Sequence, residues 1–433
     1  MILRDQRGRG SAIRAIGLIA LLSLAALSSR AGDEVPDTVE ALRTELERLK
    51  TEQAARAAEI RKLDERLAAL EASAGAGTAL TEVAAPPALA QHPALRTRLD
   101  VSGDFRLRYE GNYGDADARD WERGVLRARL GATYAVSDWL TVGGRLATGD
   151  PDDPNSTDVT LSNFADDLDV SLDQAYAQFK FANADIWGGK FPLPFARTDL
   201  VWDGDVNPQG IGADYRLPVG GGALRLSGLY FLVDQSVAGS DSSMVGAQLG
   251  LDLPLTGNFQ LELSVADYDY SLPGVAGADT GDFRSNLIGP DGRYVSDFDL
   301  TDLIAAVTFR GWDRLPIRLT GEYVYNRGAR TSGDTGYSVE LSAGQALEQG
   351  DWRFGYGYSV AEVDAVLAAF SHDNTTIATN YRQHTLFVDY ALTDDVVLDA
   401  TLYRYRPYDA ALSGMNDPAD WLDRLRVNFQ VGF

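Results

Sequence analysis

The chain has 433 residues, a formal net charge of −24, no cysteine and three histidines. So acidic a surface repels phosphate backbones and excludes nucleic acid as a partner, and the missing thiols exclude disulfide frameworks, thiolate metal sites and cysteine nucleophiles. His92, His372 and His384 match no metal-ligand spacing and no phosphate-binding or dinucleotide motif is present, so neither a metal nor a cofactor is expected.

Arg4, Arg7, Arg9 and Arg14 precede an apolar run over 15–27, and small residues follow over 28–31. This is the order of a secretory signal peptide, expected at 1–31, and it makes the mature protein an exported one. Over 33–72 the positions Val39, Leu42, Leu46, Leu49, Gln53, Arg56, Ile60, Leu63, Leu67 and Leu70 alternate steps of three and four. That is a heptad seam and predicts a short periplasmic coiled-coil helix, with Gln53 and Arg56 setting its register. Peptidoglycan or a periplasmic protein is the partner such a segment would hold. A linker rich in Gly, Ala and Pro is expected over 73–95.

From 96 to 433 the period becomes two. "RLDVSGDFRLRYEG" places Val101, Phe105, Leu107 and Tyr109 on one face and Asp104, Arg106 and Arg108 on the other. In "RGVLRARLGATYAV", Leu126, Ala128, Leu130, Ala132 and Tyr134 oppose Arg123, Arg127 and Arg129. The scheme recurs down to "DRLRVNFQVGF", where Leu425, Val427, Phe429, Val431 and Phe433 oppose Arg424, Arg426, Asn428 and Gln430. About sixteen such segments occur, most near the length a tilted strand needs to cross a bilayer, and an even number closes without an edge. The fold class expected is all-β: a 16-stranded antiparallel transmembrane β-barrel.

Seven short turns alternate with eight longer polar loops, near 111–122, 150–169, 192–209, 234–241, 271–297, 327–334, 365–378 and 406–420. A transmembrane barrel, with turns on one side of the membrane and loops on the other, requires this alternation. Trp139, Trp187, Trp312 and Trp352 fall at the short turns, where an interfacial aromatic girdle would sit. By parity Trp187 and Trp352 face outward, whereas Trp139 shares a face with Arg145 unless a bulge intervenes.

With these features the sequence resembles Gram-negative outer-membrane porins, and in particular a "putative porin" family related in architecture to general diffusion porins. The stretches "VSDWLTVGGRLATGDPDDPNSTDVTLSNF", "VSLDQAYAQFKFANADIWGGKF" and "DLVWDGDVNPQGIGA" carry the likeness, which covers roughly residues 96 to 433. The Pro-Glu-Phe-Gly-Gly constriction-loop signature of enterobacterial porins is absent. The resemblance implies bacterial outer-membrane localisation, a homotrimer, and contact with membrane lipid and lipopolysaccharide. It also implies a signal for the barrel-assembly machinery, read on Val427, Phe429, Val431 and Phe433.

Inward residues of a wide barrel face water and can be charged. The pore-lining basic wall expected from parity is Arg106, Arg108, Arg123, Arg127, Arg129 and Arg145. General porins fold their third external loop into the lumen, and here that loop would bring Asp199, Asp203 and Asp205 opposite the wall. Asp150, Asp152, Asp153, Asp158, Asp166, Asp167 and Asp169 in the second loop suggest an acidic vestibule. Together these features describe a water-filled channel for passive diffusion of small hydrophilic solutes and ions, weakly cation-preferring. The alternatives are a substrate-specific channel, for phosphate or another anion, and a tether or adhesin that uses the barrel as an anchor. For the anion-specific form only Lys180 and Lys190 stand as lysines beyond residue 62. An enzyme is not expected, since His384 has no evident serine partner.

Overall fold

The computed structural model describes residues 98–114, 120–161, 164, 168–235, 240–273, 285–312, 314–413 and 418–433. The expected signal peptide, coiled coil and linker lie outside these residues. The strands are β1 (Leu99–Gly114), β2 (Trp121–Ser137), β3 (Leu140–Thr148), β4 (Val159–Thr160), β5 (Val170–Lys180), β6 (Ala184–Lys190), β7 (Gln209–Val219), β8 (Gly222–Asp234) and β9 (Ser242–Thr256). They continue as β10 (Phe259–Ser271), β11 (Asp299–Phe309), β12 (Ile317–Asn326), β13 (Thr335–Gly344), β14 (Trp352–Ala361), β15 (Tyr381–Thr393), β16 (Val396–Pro407) and β17 (Leu422–Gly432).

Sixteen of these form a closed antiparallel barrel, each paired with its neighbour in sequence and β17 returning to β1. The two-residue β4 is a segment of the second loop laid against β2. Closure leaves no unpaired strand edge in the hydrocarbon layer, which is the condition for a sheet to cross a membrane. The closing register sets Leu107 opposite Phe429 and Arg106 opposite Gln430, so apolar and polar faces continue across the seam. Beyond β17, Phe433 exchanges backbone hydrogen bonds of 2.9 and 3.0 Å with Gly103. Its ring occupies the space over Gly103, where a Cβ would stand 2.5 Å from Phe433 Cζ.

Connections follow the predicted alternation only in part: tight turns follow β2, β5, β7, β9 and β15 and long loops follow β3, β6, β10 and β14, but the connections after β1 and β8 are no longer than those after β11 and β13. The second loop spans 149–169, the third 191–208, the fifth 272–298 and the seventh 362–380. Outward residues such as Leu130, Leu226, Leu249, Leu319, Val339, Leu386 and Val427 are exposed, as a lipid-facing surface demands.

The tryptophans depart from simple parity. A bulge between Ala135 and Ser137 resets the phase at the first turn, and Trp139 stacks outside on Phe179. Trp312 and Trp352 are likewise exposed. Trp187 corrects the outward expectation: it pairs with Gly212 and stacks on Phe191, packed against the buried cluster inside the barrel. Gly212 makes this possible, since a Cβ there would approach the Phe191 ring to 2.7 Å.

Candidate functional site

The interior has two unlike halves. Around β1, β2, β3 and β17 the inward positions carry guanidinium groups. Around β8 to β12 they carry Leu229, Phe231, Tyr268, Tyr270, Leu300 and Val324, all buried. A side chain pointing into a wide lumen is buried only if something covers it, and here the third and seventh loops do.

The third loop carries Phe195, Leu200, Val201, Trp202 and Val206, and the seventh carries Val366, Leu367 and Phe370. These cannot stay in water cheaply, and the apolar half of the lumen is where they go. Trp202 stacks on Phe370 at 5.7 Å between centroids and meets Tyr268 edge-on at 5.5 Å. The loops also exchange polar bonds: the Asp203 N–H donates to Phe370 O at 2.8 Å, and the Ser371 hydroxyl to Leu200 O at 3.0 Å. From the fifth loop Asn286 donates to Val363 O and Val366 O, while Asn155 of the second loop donates to Ser371 O. Four loops thus close over one aromatic core inside the barrel. Beneath the third loop, the Thr198 hydroxyl donates to the buried Glu322.

On the other half every predicted wall arginine meets a carboxylate. Arg106 and Arg108 share Asp158, the latter at 2.7 Å. Arg123 and Arg426 each reach Glu110 at 2.6 Å, with Arg108 and Arg424 at 3.6 and 3.8 Å. Glu110 is fully buried, so four guanidinium groups converge on one desolvated anion. Lower on the wall, Arg127 and Arg129 bracket Asp104 at 2.9 and 2.6 Å, and Arg145 meets Asp173 at 2.5 Å.

The three predicted loop acids separate. Asp205 faces the wall, 2.6 Å from Arg129 and 3.9 Å from Arg127. Asp199 stands at the open lumen beside Arg197 and accepts from Asn374. Asp203 is in ion-pair range of no arginine among the described residues, accepts the Asp205 N–H at 2.8 Å, and is held by burial well above the usual carboxylate range. The expected vestibule differs as well: Asp158 leaves it to join Arg106 and Arg108 inside the barrel, Asp150, Asp152 and Asp169 are exposed, and Asp166 and Asp167 lie outside the described residues.

Sequence reasoning missed Asp373 and His372 of the seventh loop. Asp373 is 3.6 Å from Arg426; burial works against its charge, but Arg426 and Arg108 outweigh it and hold its carboxyl below the ordinary value. His372 is pushed down to about 4 by burial and is therefore neutral at pH 7. Its Nδ1 accepts the Asn374 N–H, and its ring meets Tyr381 edge-on. Nothing in the loop's sequence spacing marks these residues, because barrel closure brings them to the wall. His384 faces outward, its Nδ1 2.8 Å from the Tyr356 hydroxyl.

Between the two halves and below the loops lies a cavity of about 1190 Å³. Seven carboxylates and six guanidinium groups line it, among them Arg127, Arg129, Arg318, Asp199, Glu340 and Asp389. Val427, Phe429 and Phe433, of the expected assembly signal, are exposed outside, with Val431 half-buried on the same face.

Residues 115–279 match a family model described as "Putative porin". Among solved structures the chain is similar to OprB of Pseudomonas putida at 13% identity, with 78% of this chain and 95% of that chain covered and a TM-score of 0.54. OmpF of Salmonella typhi, in complex with daunomycin, aligns at 12% identity over 77% of this chain and 97% of its own, with a TM-score of 0.48. No curated protein matches the chain. The likeness to the "putative porin" family is therefore found again by the family match, and the porin barrel by the OprB likeness.

Proposed function

We propose that the protein is a porin of the bacterial outer membrane, a passive channel for small hydrophilic solutes and ions. One observation carries this reading: a closed sheet with an apolar exterior encloses a charged cavity of about 1190 Å³, roomy enough for water and small solutes. The slight excess of carboxylates among its lining groups supports weak cation preference. Pairing of each wall arginine with an acid leaves little free positive field and weighs against a phosphate channel. Reconstitution into a planar bilayer tests the proposal. Stepwise conductance is expected, with a reversal potential on the cation side; absence of conductance overturns the channel, and clear anion selectivity overturns the charge argument.

The filling of the lumen by four loops favours a narrower reading, a channel selective for solute shape. Liposome swelling with solutes of graded size and stereochemistry separates the two, since simple diffusion depends on size alone. In the same reading the barrel assembles as a homotrimer surrounded by lipid and lipopolysaccharide, residues 33–72 tether it on the periplasmic side, and Val427, Phe429, Val431 and Phe433 address it to the assembly machinery. Deleting Phe433 is expected to reduce assembly much more than the conductance of barrels that do assemble; normal assembly refutes the signal.

A further inference from the structure

Near the loop ends of β10 to β12 the outer face carries charge in balance: Arg327 lies between Asp267 and Asp299. A second charged patch, near the loop ends of β15 to β17, has no such balance. Arg382, Arg404 and Arg406 project outward there, because their strand neighbours Tyr381, Gln383 and Tyr405 are buried on the lumen side and Tyr403 lines the cavity.

The sheet register places Arg382 directly opposite Arg406, and His384 directly opposite Arg404. Like charges in directly opposed positions repel, so this arrangement costs stability unless an anion bridges them. Among the described residues the one carboxylate in ion-pair range is Asp423, 3.4 Å from Arg404. Glu362 neighbours Tyr408 and accepts the Thr335 N–H, Asp409 caps the Ala411 N–H, and neither they nor Asp420 comes within ion-pair range of the three arginines. Arg382 and Arg406 reach backbone carbonyls, of Tyr408 at 3.2 Å and Ala419 at 3.1 Å. Arg382 Nε is buried without a hydrogen-bond partner.

Aromatic rings hold the three guanidinium groups in place. Arg382 lies over Tyr408 at 4.9 Å, and Trp421 takes Arg406 at 4.7 Å and Arg404 at 5.8 Å. His384 packs on the same Trp421 at 5.4 Å. Rings of this kind seat at the level of lipid headgroups, and each stacked guanidinium group, with one nitrogen engaged by a carbonyl or carboxylate, has further donors of its fork for phosphate oxygens. The patch is outside the barrel, a few residues below the long loops, so its ligand comes from the membrane side.

From this we infer that the outward face formed by Arg382, Arg404, Arg406 and Trp421 binds the phosphate of an outer-leaflet phosphoglycolipid, with lipopolysaccharide as the occupant. The inference rests on the outer-membrane reading and adds a defined binding site to it. The test uses the full chain, folded in detergent, with native mass spectrometry reading the binding of purified lipopolysaccharide, its enzymatically dephosphorylated form, and inorganic phosphate.

Wild-type protein is expected to retain lipopolysaccharide and to bind the dephosphorylated form much more weakly. Arg382→Gln combined with Arg406→Gln is expected to weaken binding by roughly 10- to 30-fold, and Arg327→Gln in the balanced patch to leave it unchanged. Equal affinity of the double variant and wild type overturns the site, as does equal binding of the dephosphorylated lipid. Full displacement by inorganic phosphate at matched concentration overturns the lipid as the occupant. Should the double variant not assemble, the two single variants are judged by the same affinities. Heat-dependent gel mobility and bilayer conductance of the same samples report separately on the barrel and the channel, so loss of the lipid site and loss of the porin reading are distinguishable.

Discussion

The arginine wall on β1, β2, β3 and β17 and the aromatic half on β8 to β12 occupy equivalent inward positions of one barrel, yet they do opposite things. The aromatic half recruits loop residues such as Trp202 and Phe370 and becomes a dry core. The wall recruits carboxylates, Asp158, Asp205 and Asp373, from three loops, burying the pairs around Glu110 and leaving Arg127 and Arg129 on the cavity. A barrel this wide has no core of its own, so inward composition decides where loops bind and where a passage is left. The cavity is the space that neither hydrophobic burial nor ion pairing has closed.

Breaking the buried side of the wall is expected to have the largest effect. Glu110→Gln leaves Arg123, Arg426 and their neighbours without their shared anion, at a cost of about 3–5 kcal/mol. A lower temperature for heat-induced loss of the folded gel band checks it. The matching break on the dry half is Trp202→Ala, which removes a fully buried ring and weakens loop docking by about 3–5 kcal/mol. Single-channel conductance is expected to rise and the third loop to become open to proteolysis, while the barrel band persists.

A third test uses pH. His372 is neutral when docked, its pKa pushed by burial from the ordinary imidazole value of about 6.5 down to about 4. Docking strength from this group is therefore complete above pH 6.5 and is lost as pH falls from 6.5 toward 4, amounting to about 2 kcal/mol by pH 5. Asp203, whose pKa burial raises, acts in the opposite sense, since protonation relieves its cost. The difference between wild type and His372→Gln isolates the histidine: acidification should loosen the seventh loop more in the wild type, read as proteolysis of residues 362–380. The smallest effect is expected at Arg318, whose pair with Glu262 is over one-third exposed on both sides. Arg318→Gln should cost about 0–1 kcal/mol and alter ion selectivity more than stability. A large loss there would show that exposure does not separate the two kinds of pair.

Much of this molecule is legible in the alternation itself. Leu107 and Arg108 differ by one position and face opposite solvents, which is a local property of an extended chain. The turn and loop pattern is equally local, since Gly, Asp and Asn end strands wherever they cluster. Trp187 shows the limit: it obeys the inward phase set by Gly212 across the strand pair, not the outward phase counted along its own segment. The dry half left a faint trace in "GLYFLVD", where Leu229 and Phe231 on one face and Tyr230 on the other are all apolar. A strand apolar on both faces has something covering each of them.

By itself, then, the sequence determined the closed antiparallel barrel, the side that meets lipid, and the arginine phase of the wall, because each follows from residues within a few positions of one another. Only the tertiary structure decided which acids neutralise which arginines, that Asp203 stays out of the wall's ion pairs while Asp158 joins them, and that Trp202 meets Phe370. Those pairings join residues as distant as Arg426 and Glu110, 316 positions apart, and no local pattern encodes which side chains meet across the closed seam.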